Sequence, residues 1–189
     1  MNKNIWDNEG LVSVLREGGV VVMPTDTIYG IVGKAESRET VNRIYDVRKR
    51  APEKPCIILI SDLSDLERFS VSISPIQKEK LKEFWSGADA ISVVLDCPGE
   101  SLSYLHRGTS TLAFRIPHLE PLRALLRHTG PLIAPSANTE KFPQSETVDE
   151  ARNYFGDLVD LYVDGGPIIG KASKVVRLHA DGTVDILRE

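Results

Sequence analysis

The stretch VVVMPTDTIYGIVG, from Val20 to Gly33, restricts the possible folds of this chain more than any other part of the sequence. An apolar run stops at Pro24, which is typical of a short buried strand. Four polar side chains then follow within five residues: two threonines, an aspartate and a tyrosine. Since an ordinary turn needs glycine or asparagine rather than this set, the stretch indicates a buried strand that ends at a ligand site.

The rest of the chain carries helix-like and strand-like patterns. Apolar residues at helical spacing, with capping residues at the ends, predict helices over residues 7–19, 38–50, 74–85, 120–130 and 147–156. Short apolar runs predict strands over residues 19–24, 56–61, 91–96, 111–117, 131–138, 159–166, 173–178 and 183–187. Because the two kinds of element do not alternate strictly, this order favours a mixed α/β (α+β) sheet with flanking helices. Residues 1–189 are predicted to form a single domain, with a flexible loop at 139–147.

Composition narrows the classes of function. The formal net charge of −4 argues against a protein that coats nucleic acid, although a local basic pocket is compatible with it. No apolar run approaches the ~18 residues of a membrane helix, and the first residues have no apolar core of a signal peptide. Cys56 and Cys97 are isolated, and the histidines lack metal-ligand spacing. We therefore expect reduced thiols, a cytoplasmic location and no protein-held metal.

Polar side chains accompany two further apolar runs. The segment RKRAPEK places Arg48, Arg50 and Lys54 just before a predicted strand. Arginine forks can bind a polyphosphate there, but the same charges would also complement the dipole of the preceding helix. In APSAN, Ser136 and Asn138 follow a strand, either as part of a ligand site or as a tight turn. The residues alone leave both alternatives open at each place.

Arg115 lies inside the apolar run TLAFRIP, where a charged side chain needs a partner or a site. It is out of phase with Leu112 and Phe114, so it points either to solvent or to a ligand. The chain has no P-loop motif, no dinucleotide-binding glycine motif and no nucleophile elbow. The residues by themselves therefore predict a cytoplasmic α/β protein with an anion pocket.

Taken in order, several motifs resemble the YrdC family, the threonylcarbamoyl-AMP synthases of tRNA modification. The resemblance covers residues 8–188 and rests on VVVMPTDTIYGIVGKA, a basic cluster before KPCIILI, then LAFRIP, GPLIAPSAN, VDGG and ASKVVRL. It implies a YrdC-like twisted open sheet with a large basic concave cavity, in the form without an additional C-terminal domain. It also implies an enzyme, a nucleotidyltransferase that joins L-threonine, bicarbonate and ATP into threonylcarbamoyl-AMP and pyrophosphate.

The same resemblance implies the setting of the reaction. ATP is a substrate that brings Mg²⁺, and the protein itself holds no metal or organic cofactor. A partner complex then transfers the threonylcarbamoyl group to adenosine 37 of ANN-decoding tRNAs; direct contact with tRNA or other RNA is a weaker expectation, and no membrane is involved. The protein needs no nucleophile, because it has to hold two anions together, neutralise developing charge and exclude water.

Residue roles carry over where the motifs match. The residues implied for threonine binding are Thr25, Tyr29, Arg115 and Ser173. Those implied for nucleotide binding are Arg48, Arg50, Lys54, Thr111, Ser136, Asn138 and Arg188, with Arg48 and Arg50 also catalytic. On this interpretation, the polar stretch after Pro24 forms the floor of a site for a zwitterion.

The chain also departs from the family pattern. The family lysine is Arg48 here, WSGADAIS stands at the usual WPGPLT, and SKVVR replaces STVVD. These differences leave two alternatives open. One is a YciO-type paralogue of the same fold that binds nucleotide or RNA without making the adenylate, and the other is a carbamoyl-handling enzyme with another substrate.

Overall fold

A computed structural model describes residues 5–189. Within this range nine strands form one sheet: β1 (Val21–Pro24), β2 (Tyr29–Lys34), β3 (Ile57–Leu59), β4 (Ile91–Asp96), β5 (Thr111–Arg115), β6 (Leu132–Ile133), β7 (Leu161–Tyr162), β8 (Lys174–Leu178) and β9 (Val184–Arg188). Their order across the sheet is β7-β1-β2-β6-β3-β5-β4-β8-β9. Parallel pairs such as β3–β5 and β4–β8 lie among antiparallel ones, which confirms the predicted mixed α/β architecture.

The helices of the same range flank the sheet: α1 (Glu9–Arg16), α2 (Arg38–Arg48), α3 (Pro75–Ser86), α4 (Ser103–His106), α5 (Glu120–Thr129) and α6 (Val148–Phe155). Ser74 and Gln77 form the predicted capping box at the start of α3, and Asn8 and Thr147 cap α1 and α6. None of these helices combines the length and the apolar composition that a membrane span requires, in the part of the chain described.

The chain turns back directly after Pro24 and returns as β2, antiparallel to β1. The sequence pattern assigned no strand to residues 29–34, because glycines at 30 and 33 weaken a strand signal. Gly30 is required by a close approach: a Cβ added there would lie 3.2 Å from the Cγ2 methyl of Thr25. The turn between the two strands is therefore short and tightly packed.

Alternation along the strands divides the core into two layers. Val20 and Val22 face one side of the sheet, where the cluster includes residues of α2, α3, α4 and α6. Val21 and Met23 face the other side, against α1 and α5. Since helices cover both faces here, β1 is buried at every position.

The side of the sheet that carries α1 and α5 is open at β5 and its neighbours. Leu112 and Phe114 belong to the core on the far side, whereas Thr111, Ala113 and Arg115 line an open space on the near side. The out-of-phase position predicted for Arg115 thus places it on the cavity side of the sheet.

Candidate functional site

A cavity of about 340 Å³ occupies this open part of the sheet. Side chains of β4, β5 and β8 form its floor, and its walls are the turn after β1, the segment before β3, the segment after β6 and the end of β9. Seven of the expected site residues line it: Thr25, Arg50, Thr111, Arg115, Ser136, Ser173 and Arg188. The fold thus brings together residues from widely separated parts of the chain.

The hydroxyl of Thr25 stabilises the turn after β1 through hydrogen bonds within the turn. This hydroxyl donates to the carbonyl of Ile28 at 2.7 Å and accepts from the amides of Thr27 and Ile28 at 3.2 and 3.3 Å. A threonine side chain therefore closes a turn that would otherwise call for glycine or asparagine. Thr27 also lines the cavity, although the sequence analysis did not select it.

Arg115 on β5 is only 4 % exposed and forms an ion pair with Asp26 from the same turn. The other carboxylate oxygen of Asp26 accepts from the amide of His118 at 3.2 Å, and Thr27 Oγ1 lies 3.5 Å from Arg115 Nη2. Within residues 5–189, Arg115 Nε has no hydrogen-bond partner. A guanidinium held in place beside a cavity is suited to an anionic ligand.

Positive charge is concentrated in the cavity. Arg188 on β9 donates from Nε and Nη2 to the carbonyl of Ser173, at 3.2 and 2.7 Å. Burial, and after it the charges of Arg115 and Arg50, lower the pKa of Arg188. The cavity therefore favours anions, although the whole chain has a formal net charge of −4.

Ser173 lines the cavity, and the side chain of Ser92 lies behind that of Ser173. Its hydroxyl oxygen is 2.8 Å from that of Ser92, which is fully buried on β4. Ser92 lies opposite Val175 on β8, and Ser173 is two residues before Val175, so the parallel pairing of β4 with β8 brings the two serines close together. Ser92 thus restricts the directions in which the Ser173 hydroxyl can donate.

Four of the expected site residues lie outside the cavity lining: Tyr29, Arg48, Lys54 and Asn138. Tyr29 belongs to the core on the far side of the sheet. Its hydroxyl donates to the carbonyl of Gly166 at 2.8 Å and accepts from the amide of Gly165 at 3.0 Å, and burial raises its pKa. Tyr29 therefore anchors the segment 163–173 instead of forming part of the wall.

Arg48 lies behind the wall and cross-links two segments of it. Its Nε donates to the carbonyl of Asn138 at 3.0 Å, and its Nη2 donates to the Ser136 hydroxyl and the Asn138 side-chain oxygen, both at 3.2 Å. Burial, together with the nearby charge of Arg50, lowers the pKa of Arg48 to about 10. Arg48 thus ties the end of α2 to the segment after β6.

Lys54 is bound by an acidic residue that the sequence analysis did not identify. Its Nζ lies 2.6 Å from Oε1 of Glu140, whose Oε2 accepts from the amide of Ala51. These hydrogen bonds, the one from Lys54 first, lower the pKa of Glu140 to about 2. The pair is separated by 86 residues in sequence. In the sequence, Glu140 is marked only by its position two residues after Asn138.

Of the two cysteines, Cys56 is part of the cavity lining. Cys56 and Cys97 are both buried and unpaired. Within residues 5–189, no group of three or more His, Cys, Asp and Glu side chains is arranged to hold a metal ion. The chemistry of this cavity rests on arginines and hydroxyl groups.

Comparison with known proteins gives the family. The Sua5/YciO/YrdC family, described as telomere recombination, matches residues 13–189. A Bacillus subtilis protein named threonylcarbamoyl-AMP synthase is 34% identical over 172 residues, which cover 89% of this chain and 49% of the relative. A Coxiella burnetii protein of the same name is 30% identical over 179 residues, covering 94% of each chain. The chain thus spans about half the length of the first relative and nearly all of the second.

Solved structures share the fold. P. abyssi Sua5 complexed with L-threonine has a TM-score of 0.80 and 29% identity, covering 92% of this chain and 50% of that one. E. coli YciO has a TM-score of 0.79 and 25% identity, covering 100% of this chain and 90% of that one. With the family match over most of the sequence and the fold shared with both proteins, this chain belongs to the Sua5/YciO/YrdC family.

Proposed function

We propose that this protein is a threonylcarbamoyl-AMP synthase, which makes threonylcarbamoyl-AMP and pyrophosphate from L-threonine, bicarbonate and ATP. The observation that carries the proposal is the convergence of Arg50, Arg115 and Arg188 on one cavity lined by threonine and serine hydroxyls. Guanidinium and hydroxyl groups are suited to carboxylates, bicarbonate and phosphates. The related P. abyssi Sua5 binds L-threonine, which supports the same substrate here.

The proposed reaction forms two bonds and needs no protein nucleophile. The amine of threonine joins bicarbonate with loss of water, which gives an N-carboxylate. An oxygen of this carboxylate then attacks the α-phosphorus of ATP, and pyrophosphate leaves. Both steps bring anions together, so the protein contributes charge neutralisation, orientation and the exclusion of water.

Arg115 is the proposed contact for the threonine carboxylate. Asp26 holds the guanidinium of Arg115 in place, and Arg115 lines the cavity. Thr25 and Ser173 line the same cavity and are proposed to contact the rest of the amino acid. The ion pair with Asp26 fixes the arginine before substrate arrives, which lowers the cost of binding.

Arg50 is the proposed contact for the phosphates of ATP and the catalytic cation. Its Nε and Nη2 donate to the carbonyls of Lys54 and Pro55, both at 3.0 Å, so its orientation is fixed from behind. Further nucleotide contacts are proposed for Thr111, Ser136 and Arg188. Mg²⁺ enters with ATP and is held mainly by its phosphates, as is usual for this ion.

Arg48 and Asn138 contribute to the proposed nucleotide site from behind the wall, through the bond between Arg48 and Ser136. The product is labile and is proposed to pass to a partner complex that modifies tRNA. We place this reaction in the cytoplasm, where ATP, threonine and tRNA are all present.

The test is mass detection of threonylcarbamoyl-AMP made by the purified protein, with each of the three substrates omitted in turn. The kcat/KM for threonine should exceed that for valine by up to roughly 10⁴-fold, because a site that hydrogen-bonds a hydroxyl rejects the analogue that lacks it. Equal turnover of valine, or ATP consumption without bicarbonate, would contradict the assignment. ATP binding with no adenylate formed would favour the YciO-type alternative.

A further inference from the structure

We propose that Glu140 is a positioning residue of the nucleotide site. It holds the basic segment, defined as residues 49–55, against the segment that follows β6, and it engages Lys54 so that this lysine does not contact phosphate. The inference rests on the proposed function and deepens it, because it concerns how the cavity is prepared to receive ATP.

Glu140 forms three hydrogen bonds with residues in or next to the basic segment. Its backbone amide donates to the carbonyl of Arg48 at 2.9 Å. One carboxylate oxygen accepts from the amide of Ala51, and the other lies 2.6 Å from Lys54 Nζ. The Glu140 side chain is 13% exposed, whereas that of Lys54 is 53% exposed. A largely buried carboxylate in charge-assisted hydrogen bonds restrains both segments.

The bonds of Glu140 lie close to Arg50 in the chain, so they restrain the backbone that carries the Arg50 side chain. The basic segment has no helix or strand of its own, and it begins at Lys49 with a left-handed backbone, φ 51°. The carbonyl of Lys54 accepts from Arg50 Nε at 3.0 Å and from the Tyr45 hydroxyl at 2.7 Å, so the far end of the segment is tied inward. Glu140 binds Ala51, the residue next to Arg50. The bond from the Ala51 amide to Glu140 therefore restrains the backbone directly after Arg50, while the Lys54 carbonyl holds the Arg50 guanidinium.

Electrostatics favour the same conclusion. Lys49, Arg50 and Lys54 outnumber the single carboxylate of Glu53 within six residues, directly after Arg48, so the segment carries net positive charge that repels itself when no anion is bound. Glu140 is a carboxylate from elsewhere in the chain that offsets this charge, and its hydrogen bonds to Lys54 and Ala51 lower its pKa to about 2. The basic segment can therefore keep one arrangement in the empty cavity, which is the condition for preorganised binding.

Two variants and a matched control separate this proposal from the alternative that Lys54 binds phosphate. Glu140→Gln removes the charge while keeping the size of the side chain, and Lys54→Ala removes the partner. Glu83→Gln is the control, because it breaks another Glu–Lys pair, with Lys80 at 2.9 Å, on the exposed surface of α3. The measurements are hydrogen–deuterium exchange of peptides that cover the basic segment, ATP affinity by calorimetry, and adenylate formation.

We expect Glu140→Gln to speed exchange in the basic segment and to weaken ATP binding by about tenfold, since two charge-assisted bonds are lost. The KM for threonine should stay unchanged. Lys54→Ala should change ATP affinity by no more than about twofold, because Glu140 still binds the Ala51 amide. Glu83→Gln should change neither quantity.

Tighter ATP binding by Glu140→Gln, with weaker binding by Lys54→Ala, would overturn the proposal, because it would mean that Glu140 competes with phosphate for Lys54. Unchanged exchange in Glu140→Gln would also overturn it. A wild-type protein that binds ATP but makes no adenylate would refute the proposed function alone, since exchange and affinity still test Glu140. A wild-type protein that binds no ATP would refute both.

Discussion

Arg48 and Arg50 are two residues apart but lie on different sides of the cavity wall. Arg48 ends α2 and is buried behind the wall, whereas Arg50 lines the cavity. Lys49 between them has a left-handed backbone, φ 51°, which turns the chain as the helix ends. The same charge therefore has two different settings: Arg48 cross-links buried segments, and Arg50 lies at the cavity, where we propose that it contacts phosphate.

Replacing each arginine by alanine should separate these tasks. Arg50→Ala should weaken ATP binding by roughly 10- to 150-fold, as expected for a lost charged hydrogen bond, with little change in melting temperature. Arg48→Ala should lower the free energy of unfolding by about 2–4 kcal/mol, because it leaves the buried backbone and side-chain oxygens of Asn138 without their donor. Calorimetric affinity and denaturant unfolding measure the two effects.

Arg177→Ala is the control for both arginines, since it removes an exposed arginine paired with Asp96 at 3.0 Å. It should leave ATP affinity and stability nearly unchanged. If Arg50→Ala destabilised the protein and bound ATP normally, its charge would serve the helix end, and the proposed phosphate contact would be wrong.

For single residues, the sequence predicts those candidate site residues that lie in a contiguous motif. Thr25 and Arg115 are recognisable, because a polar turn follows an apolar run and a cation interrupts a strand. The ion pair of Arg115 with Asp26 spans 89 residues, and no local pattern encodes it. Tyr29 shows the opposite case: its motif predicts a place in the threonine site, and the structure puts its side chain in the core on the far face of the sheet.

Among the elements, the segment 163–173 depends on close backbone contact with the turn after β1. A Cβ added at Gly170 would lie 2.2 Å from the carbonyl oxygen of Thr27. Ala172 and Ser173, two and three residues further along the chain, line the cavity. The path of this segment therefore sets the position of one cavity wall.

Gly170→Ala should cost about 1–3 kcal/mol of stability, as overpacking usually does, and should weaken threonine binding by displacing Ser173 or Thr27. Gly99→Ala is the matched control, since the nearest atom to an added Cβ there is 3.9 Å away and the backbone has φ −64°. The control should be neutral or slightly stabilising. Thermal melts and threonine KM measure both variants, and equal behaviour of the two would mean that the close contact has no energetic effect.

The elements with strong local signals match the sequence predictions, as the capping box of α3 illustrates. β2 does not, because two glycines hide its strand pattern, and its identity comes from pairing with β1 and β6. The 3-10 turn at Leu63–Phe69 and the short α4 also lacked a detectable pattern. Such elements are fixed by their tertiary contacts more than by local propensity.

For the whole molecule, the lowered pKa of Glu140 links stability to pH. A carboxyl group whose pKa falls from 4.5 to about 2 on folding contributes stability that is fully present above pH 4.5 and is lost as the pH falls through about 2. Glu140→Gln should therefore be less stable than the wild type at neutral pH. The difference should shrink progressively below pH 4.5.

Urea unfolding across this pH range measures the difference. Asp160→Asn should show the same sign, since Arg43 lowers the pKa of that carboxyl group in a pair far from the cavity. A difference between wild type and Glu140→Gln that stays constant down to pH 2 would contradict the assigned charge state.

The strand order has a consequence for synthesis of the protein. β6 lies between β2 and β3, β7 pairs with β1, and β8 pairs with β4, so several neighbouring strands are distant in sequence. Such a topology has a high contact order and folds slowly for its size. Because Arg188 completes the cavity, a nascent chain still emerging from the ribosome has no finished binding site. A ligand that binds this cavity can therefore stabilise only chains in which β9 has joined the sheet.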